Sequence, residues 1–279
     1  MSDQPMHCVV PNAPPGNTNL IEADQWNASW TATAAPRRLR PWRDYVSWRF
    51  ATLFRQYIRP GDRVLEIGCG GSRFLPYFAK ELGAEVWGLD FAPAGILTAK
   101  GALLRAGVSG RIIEGDLFTT TELPEGSFDT VFSAGFIEHF PQTANVLRHI
   151  TRFAKPGTGL VITEIPNVGG WFFSKLQRRL DPELYAQHVP ITPPQMDLAH
   201  NEAGARPVRA AQYFGTIGLG VINYDRALCR LPRRARMLLR RSLEIPQFIA
   251  TAPLWALRTS YETAAISPFI LGIYQRSSS

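Results

Sequence analysis

Short apolar runs alternate with stretches of helical pattern through the middle of the chain. Each run is closed by a glycine turn, an acid or another turn signal, which is typical of strands buried on both faces of a parallel sheet. The stretches between them carry apolar residues on one side, which indicates amphipathic helices. This alternation predicts an α/β fold with a doubly wound sheet. The predicted strands span 63–67, 85–89, 111–117, 128–133, 160–164, 207–214 and 268–275.

The first predicted strand, 63–67, runs into a glycine-rich loop, Gly-Cys-Gly-Gly-Ser, and then into a helical stretch. Gly68 and Gly70 let the backbone turn tightly and approach a ligand that a Cβ would obstruct. A dinucleotide site requires a third glycine where this chain has Arg73. Glu66 would lie badly beside a pyrophosphate but well beside a cation. The loop therefore indicates a nucleotide-type ligand that carries a positive charge.

Acids also follow the second and third predicted strands. Asp90 lies 24 residues after Glu66, close to the interval expected for a carboxylate that accepts hydrogen bonds from ribose hydroxyls. The alternative is that Asp90 caps the helix that follows Pro93. Asp116 leaves the third strand in the same way, and its alternative role is to stabilise a turn.

Glu66, the glycine loop and the spacing to Asp90 resemble the S-adenosylmethionine site of class I methyltransferases. Segments 134–140 and 155–159 are similar to those of small-molecule members related to the ubiquinone-biosynthesis type, although Ser72 stands where that family usually has a third glycine. The resemblance covers roughly 42–214. It implies a Rossmann-like sheet of seven strands with the last antiparallel, S-adenosylmethionine as cofactor, and a small-molecule acceptor.

The resemblance also assigns site residues. Asp116 would meet the adenine amino group, and the next backbone amide a ring nitrogen. No motif for nucleic-acid amino groups follows strand four, and neither the double-glutamate loop of arginine methyltransferases nor the aspartates of magnesium-dependent catechol enzymes is present, so no metal is expected. The cofactor-binding residues expected are Glu66, Gly68, Cys69, Gly70, Asp90, Phe91, Asp116, Leu117 and Ser133.

Methyl transfer from a sulfonium needs mainly alignment, and a hydroxyl acceptor is helped by a nearby base. His139 follows strand four at the carboxyl edge of the sheet. His188 lies in an insertion, 168–194, whose segment 185–193 resembles one that borders the acceptor pocket. These two are the catalytic candidates. The alternatives are a loop histidine bonded to backbone for His139 and a surface position for His188. His200 is expected to be exposed, and Glu138 to cap or pair locally.

The N-terminal part divides into a tail rich in Pro, Asn and Gly, expected to be disordered, and two helices at 20–36 and 42–58. Their aromatic residues either pack against the sheet or cover the ligands, and Trp26 and Tyr45 are the candidates for a cover. The predicted domains are 1–58 for tail and cover, 59–214 for the core, 215–267 for a helical lid, and 268–279 for the last strand.

Seven arginines and no acids lie between 226 and 241. Without them the chain is nearly neutral, which argues against a general nucleic-acid surface. The leucines of this stretch share one face of a helix beginning near Pro232, which predicts a solvated arginine face over an apolar contact. The alternatives are an anionic membrane or an acidic partner. Pro246 and Pro253 are expected to break the segment into short pieces that form a lid, with an oligomer interface as the alternative.

Cys8, Cys69 and Cys229 are widely spaced and match neither a zinc site nor a disulfide framework, so a reducing cytoplasm is expected. No signal-peptide pattern and no apolar run of membrane-spanning length is evident. Two other functions remain open. One is methylation of a protein or RNA that docks on the arginine-rich helix, and the other is a non-catalytic cofactor-binding protein.

Overall fold

The structure is a computed structural model that describes residues 19–32, 38–218, 222, 228 and 231–278. The predicted disordered tail up to residue 18 lies outside these residues, as do Cys8 and Cys229. The strands are β1 Arg63–Ile67, β2 Glu85–Asp90, β3 Arg111–Glu114, β4 Thr130–Ala134, β5 Leu160–Pro166, β6 Ala205–Phe214 and β7 Phe269–Arg276. The helices of the described part are α1 Ala23–Ala32, α2 Tyr45–Tyr57, α3 Leu75–Leu82, α4 Pro93–Ala106, α5 Thr143–Thr151, α6 Trp171–Leu180, α7 Pro182–Ala186, α8 Pro193–Glu202 and α9 Arg233–Ala256.

All seven strands join one sheet in the order β3-β2-β1-β4-β5-β7-β6. β1 pairs parallel with both β2 and β4, whereas β7 runs antiparallel between β5 and β6. The predicted seven-stranded sheet with an antiparallel last strand is confirmed. The strand order reverses between β1 and β4, and ligands of such sheets bind at the carboxyl ends of the strands on either side of that point.

The sheet carries a hydrophobic core on each face, as the alternation of side chains along β1 requires. Val64 faces the core formed with α2 and α3, while Leu65 faces the core formed with α5 and α8. Phe54 of α2 is fully buried, with its ring 4.9 Å from that of Phe78 and 5.5 Å from that of Phe132. The aromatic residues of α2 therefore pack mainly against the sheet, which was one of the two interpretations of this helix.

His200 is fully buried, so the prediction of an exposed histidine is wrong. Its ring stacks on Tyr274 of β7 at 3.5 Å, because α8 packs its inner face against β6 and β7. Tyr274 donates a 2.7 Å hydrogen bond to Asp197 on the same helix. Burial lowers the pKa of His200 to about 3, so the ring is neutral at physiological pH. This histidine is part of the core.

α9 is one continuous helix with Pro246 and Pro253 inside it, so the predicted break into short pieces is wrong. A proline in a helix frees the carbonyl four residues earlier, which here belongs to Ser242 and Ile249. Both residues are exposed, and water can therefore satisfy those carbonyls. The helix begins directly after Pro232, as expected.

The apolar contact predicted for the arginine-rich segment is also wrong where the structure describes it. Leu238 and Leu239 of α9 are exposed rather than packed on the protein.

Within the described residues, every helix is either too short or too polar to cross a bilayer.

Candidate active site

The loop after β1 turns back on itself and is tied to the neighbouring strand. Gly68 has a positive φ of 70°, and the amides of Gly68 and Cys69 both donate to the carbonyl of Leu89 in β2, at 2.9 and 3.1 Å. A Cβ on Gly68 would lie 2.6 Å from the ring of Phe136, so no larger residue fits there. These contacts fix the backbone of residues 68–71 at the carboxyl edge of the sheet.

Glu66 and Ser72 form the base of this loop. The Ser72 hydroxyl donates to Glu66 at 2.5 Å and accepts hydrogen bonds from the amides of Phe74 and Leu75, both at 3.0 Å. Ser72 thus caps the start of α3, which explains why a serine stands where a glycine is usual. Burial raises the pKa of Glu66 to about 8, although the Ser72 hydrogen bond opposes the shift.

Asp90 closes the side of the loop next to β2. One carboxylate oxygen accepts from the Gly70 amide at 2.6 Å, and the other accepts from the Ala92 amide at 2.8 Å. Burial raises its pKa, and the two backbone amides oppose that shift. The carboxylate is therefore fixed against the glycine loop, and each oxygen keeps a further lone pair for a ligand hydroxyl.

The other expected cofactor residues occupy different environments. Asp116 accepts from the Phe118 amide at 2.8 Å, which is the turn-stabilising arrangement, and stays partly exposed. Leu117 is buried, and Phe91 is half-buried. Ser133 is buried at the end of β4, and its hydroxyl finds no hydrogen-bond partner among the described residues. A buried hydroxyl without a partner is costly and indicates a polar ligand nearby.

The side chain of Cys69 points away from the loop's open side. It belongs to the core between the sheet and α3, and its sulfur would lie 2.5 Å from a Cβ placed on Gly88 of β2. Burial raises the pKa of the thiol. Cys69 can therefore reach a ligand only through its backbone.

Arg73 is a site residue that the sequence pattern did not identify. Its guanidinium lies 5.6 Å from the ring centre of Phe50 and 5.0 Å from that of Phe74, and burial lowers its pKa. Glu164, at the end of β5, is the strongest electrostatic partner of Arg73, and burial raises the pKa of Glu164 to about 8. The floor of the site thus contains the half-buried Arg73 cation beside two buried carboxyls, those of Glu66 and Glu164.

α1 lies across the open side of the loop. Its Trp30 indole fills the space over the glycines, because a Cβ on Gly70 would lie 2.8 Å from Trp30 Nε1 and one on Gly71 would overlap the same ring. Asn27 accepts a 3.0 Å hydrogen bond from the Ala94 amide, which fixes α1 to the start of α4. We call the space between the glycine loop, Asp90 and Trp30 the cofactor cleft.

Trp26, one turn earlier on α1, reaches a second group of functional side chains. Its ring is 6.4 Å from that of Trp30 and meets His139 edge-on at 5.2 Å. The rings of His139 and His188 are 4.7 Å apart. The structure therefore brings both predicted histidines together beside the cleft and places Trp26 over them. Tyr45, the other predicted cover residue, is buried and bonded to Thr216 instead.

Both histidines bond to a backbone carbonyl through Nδ1 and leave Nε2 available to a substrate. His139 donates through Nδ1 to the carbonyl of Gln187 at 2.9 Å, and His188 donates through Nδ1 to the carbonyl of Leu184 at 2.7 Å. These bonds fix the neutral tautomer in which Nε2 carries a free lone pair. Burial is the main cause that lowers both pKa values, and that of His139 falls to about 4. Each ring is therefore a neutral base at physiological pH.

Glu138 joins this pair through the local contact with His139 that was one of its two predicted roles. It is buried, one carboxyl oxygen lies 3.8 Å from His139 Nε2, and the other has no partner in the described part of the chain. Burial raises its pKa well above the usual value. One donor atom from each of Glu138, His139 and His188 lies within 4.8 Å of the others, so the set could also hold a divalent cation.

A cavity of about 200 Å³ lies farther along the same edge, where β5 and β6 end. Asn167 follows β5 and donates to the carbonyls of Ala264 and Ser267, which ties the segment after α9 to this edge. The walls are mostly apolar. They include Trp171, Pro190, Ile191, Tyr213, Ala264 and Ala265.

The sequence profile of the methyltransferase domain family matches residues 65–162, which span β1 to β5 and contain the glycine loop, Asp90 and His139. Over residues 65–162 this chain is therefore similar to methyltransferase domains. The matched residues thus contain the glycine loop, Asp90 and His139, whereas Trp30 and His188 lie outside them.

Curated relatives also match part of this chain. The ubiquinone biosynthesis O-methyltransferase of Hahella chejuensis is 36% identical over 106 residues, which cover 38% of this chain and 44% of that protein. The demethylmenaquinone methyltransferase of Listeria monocytogenes is 30% identical over 132 residues, which cover 46% of this chain and 55% of the relative. The chain therefore spans about half the length of the relatives that it matches.

Solved structures extend the similarity of fold beyond the methyltransferase domain. A putative sarcosine dimethylglycine methyltransferase from Galdieria sulphuraria superposes with a TM-score of 0.58 at 15% identity, over 92% of this chain and 98% of the other. The cyclase SpnF superposes equally well, with a TM-score of 0.58 at 15% identity over 95% and 98% of the two chains. At this identity the likeness concerns the fold alone.

Trp30→Ala should tighten the binding of S-adenosylhomocysteine to the methyltransferase domain. The indole occupies the cleft, so a ligand of the glycine loop must first displace it, and removing the ring removes that cost. We expect a dissociation constant lower by about tenfold, measured by titration calorimetry. Trp42→Ala is the matched control, because Trp42 is 71% exposed. Weaker binding by the Trp30 variant would show instead that the indole is a wall of the occupied site.

Proposed function

We propose that this chain transfers a methyl group from S-adenosylmethionine to a hydroxyl group of a small molecule in a biosynthetic pathway. The relatives that match the domain are named for methylation steps in quinone biosynthesis, and those of the ubiquinone pathway are O-methyltransferases. Because only part of each relative is matched, the activity and the acceptor are proposals for this protein.

One observation carries the proposal. Two tryptophans on successive turns of α1 join the cofactor cleft to the histidine pair, Trp30 over the glycine loop and Trp26 against His139. The neutral base His139 thus contacts Trp26, whose ring lies 6.4 Å from the Trp30 ring in the cleft. Carboxylate, glycine loop and base share one sheet edge, which is the arrangement that a transfer reaction requires.

The cleft fits the cofactor in its donor chemistry. Asp90 would accept from the ribose hydroxyls, Ser133 offers an unpartnered hydroxyl, and the cofactor would take the space over Gly70 that the Trp30 indole now fills. Among the expected contacts, the backbone amide of Leu117 would serve the adenine. S-adenosylmethionine, when bound, supplies a methyl group that is already activated as a sulfonium.

The residues of the chain then align the acceptor and take its proton. His139 Nε2 is unprotonated and would accept the hydroxyl proton, while its Nδ1 bond to Gln187 keeps the ring in position. His188 carries the same tautomer and would hold or relay that proton. Trp26 covers His139 and excludes water from the pair.

The apolar cavity beside β5 and β6 suits an acceptor with a hydrophobic body. Its walls come from the segment after His188 and from Ala264 and Ala265, which belong to the predicted lid 215–267. We propose that these segments border the acceptor, as the sequence predicted. A hydrophobic acceptor agrees with the quinone precursors that the names of the relatives indicate.

A second candidate function is binding of the cofactor without transfer of its methyl group. The similarity to the cyclase SpnF supports it, because a protein of this architecture is named for different chemistry. Thermal-shift assays with S-adenosylmethionine detect binding in either case. Labelled cofactor is then incubated with metabolite, peptide and RNA pools. Tritium in the metabolites indicates a small-molecule acceptor, tritium in peptide or RNA indicates a macromolecular acceptor, and tritium in none of them indicates binding without transfer.

Asp90→Ala should weaken S-adenosylhomocysteine binding by about 1–3 kcal/mol, because two charge-assisted bonds to the ribose would be lost. Titration calorimetry measures the loss. Glu114→Ala is the control, since Glu114 pairs with Asp90 in register on β3 but is exposed. An unchanged affinity of a folded Asp90 variant would overturn the ribose assignment.

A further inference from the structure

α9 presents an apolar stripe to solvent. Leu238, Ile245 and Ile249 are 64%, 59% and 66% exposed, and Leu239 and Phe248 are exposed as well. At 100° per residue, the first three positions fall within about 40° of one another on the helix surface. Exposed leucines occur singly on most proteins, but a stripe along one helix marks an interaction surface.

The protein covers the opposite side of α9 near the helix's C-terminal end. Thr251 is buried, and the helix packs against α2, where Arg258 just beyond its end lies 5.4 Å from the ring centre of Trp48. Thr251 lies about 140° around the helix from Leu238. The stripe therefore faces away from the protein, and α9 is anchored through its other side.

The charge of the segment is strongly positive. Residues 226–241 contain seven arginines and no acid, and Glu244 is the only acid in the α9 sequence. Arg234, at the start of the helix, is exposed. An outward apolar stripe within a basic helix is the composition of helices that lie in the interface of an anionic membrane.

We propose that α9 docks this protein onto a bilayer containing anionic phospholipid, with the stripe entering the acyl boundary and the arginines at the headgroups. A second copy of the chain fits poorly, because a symmetric contact would bring two arginine-rich helices together. Nucleic acid would leave the stripe in water. Since α9 does not meet the requirements of a membrane span, it would lie flat on the surface. This docking goes beyond the proposed methyl transfer and does not depend on it.

Co-sedimentation with vesicles tests the proposal on the full chain. We expect binding to phosphatidylcholine vesicles that contain 30% phosphatidylglycerol to exceed binding to pure phosphatidylcholine by at least about tenfold, and to fall with added salt. The double variant Ile245→Asp with Ile249→Asp should lose at least about tenfold of this binding, because the stripe would carry charge.

The control is Leu104→Asp, which changes an 80% exposed leucine on α4 and should bind vesicles like the parent protein. Circular dichroism checks that each variant is folded. Failure of the parent protein to bind anionic vesicles, or equal binding by the double variant, overturns the proposal. So does a dimer in gel filtration that the double variant abolishes without any effect of lipid, because the stripe would then bind a second copy.

Discussion

His139→Ala should lower methyl-transfer turnover by about 10²–10⁴-fold while S-adenosylhomocysteine affinity stays within about twofold of the parent value. The ring is the neutral base nearest the cofactor cleft, and alanine leaves the acceptor hydroxyl without a proton acceptor. Steady-state kinetics with an identified acceptor, together with calorimetry, separates the loss of turnover from a loss of binding.

The pH dependence of the methyl-transfer rate distinguishes a catalytic role of His139 from a structural one. Burial lowers the pKa of His139 to about 4, so the base form persists as the pH falls below 6.5, and the acid limb of the rate should lie between about pH 4 and 6. His149→Ala, on α5, is the matched histidine control. Full activity of both His139→Ala and His188→Ala would leave alignment alone as the source of catalysis. Loss of activity on chelation would assign the cluster to a cation.

Glu66→Gln should flatten the fall in folding stability between about pH 5 and pH 8.5. The folded-state pKa of Glu66 is raised from 4.5 to about 8 by burial, so its stabilising contribution is complete below pH 4.5 and is lost as the pH rises through 8. At about 1.4 kcal/mol per pH unit, the loss amounts to about 4–5 kcal/mol across that range. Glutamine cannot ionise and removes this term.

Denaturant unfolding at several pH values measures the effect as the difference between variant and parent. Glu164, whose pKa burial also raises to about 8, continues to destabilise both proteins at high pH, so the variant curve is flatter rather than flat. Glu81→Gln on α3 is the control, because its carboxyl is exposed. Parallel curves for Glu66→Gln and the parent would mean that Glu66 is ionised in the folded protein.

Local patterns were sufficient to predict the sheet, and they indicated candidate site residues that remain predictions. The apolar runs define strands because each lies in a buried sheet, and the interval from Glu66 to Asp90 is one strand–helix–strand repeat. The same repeat brings Asp90 to Gly70, which it bonds at 2.6 Å. His139 and His188 were identified as candidates from their places along the chain. Their contact depends on α6 and α7 folding back, which no local pattern determines.

The errors concern which face of an element meets the protein. His200 was expected at the surface, yet the helix turns it onto Tyr274. Arg73 was considered only as a missing glycine, whereas it lies half-buried between two phenylalanine rings and interacts with Glu164. Pro246 was expected to break the segment, but α9 continues through it, and the carbonyl that Pro246 frees lies at the exposed Ser242. Each outcome depends on packing between segments far apart in the chain.

The two tryptophans of α1 couple the entry of the cofactor to the entry of the acceptor, because one helix carries both. Trp30 must leave the glycine loop before a cofactor can bind there, and a rigid helix carries Trp26 away from His139 in the same movement. The water barrier over the base is therefore restored only when α1 settles on a filled cleft. Before the cofactor enters, Trp26 still covers His139, so under the proposed function we expect the cofactor to bind before the acceptor.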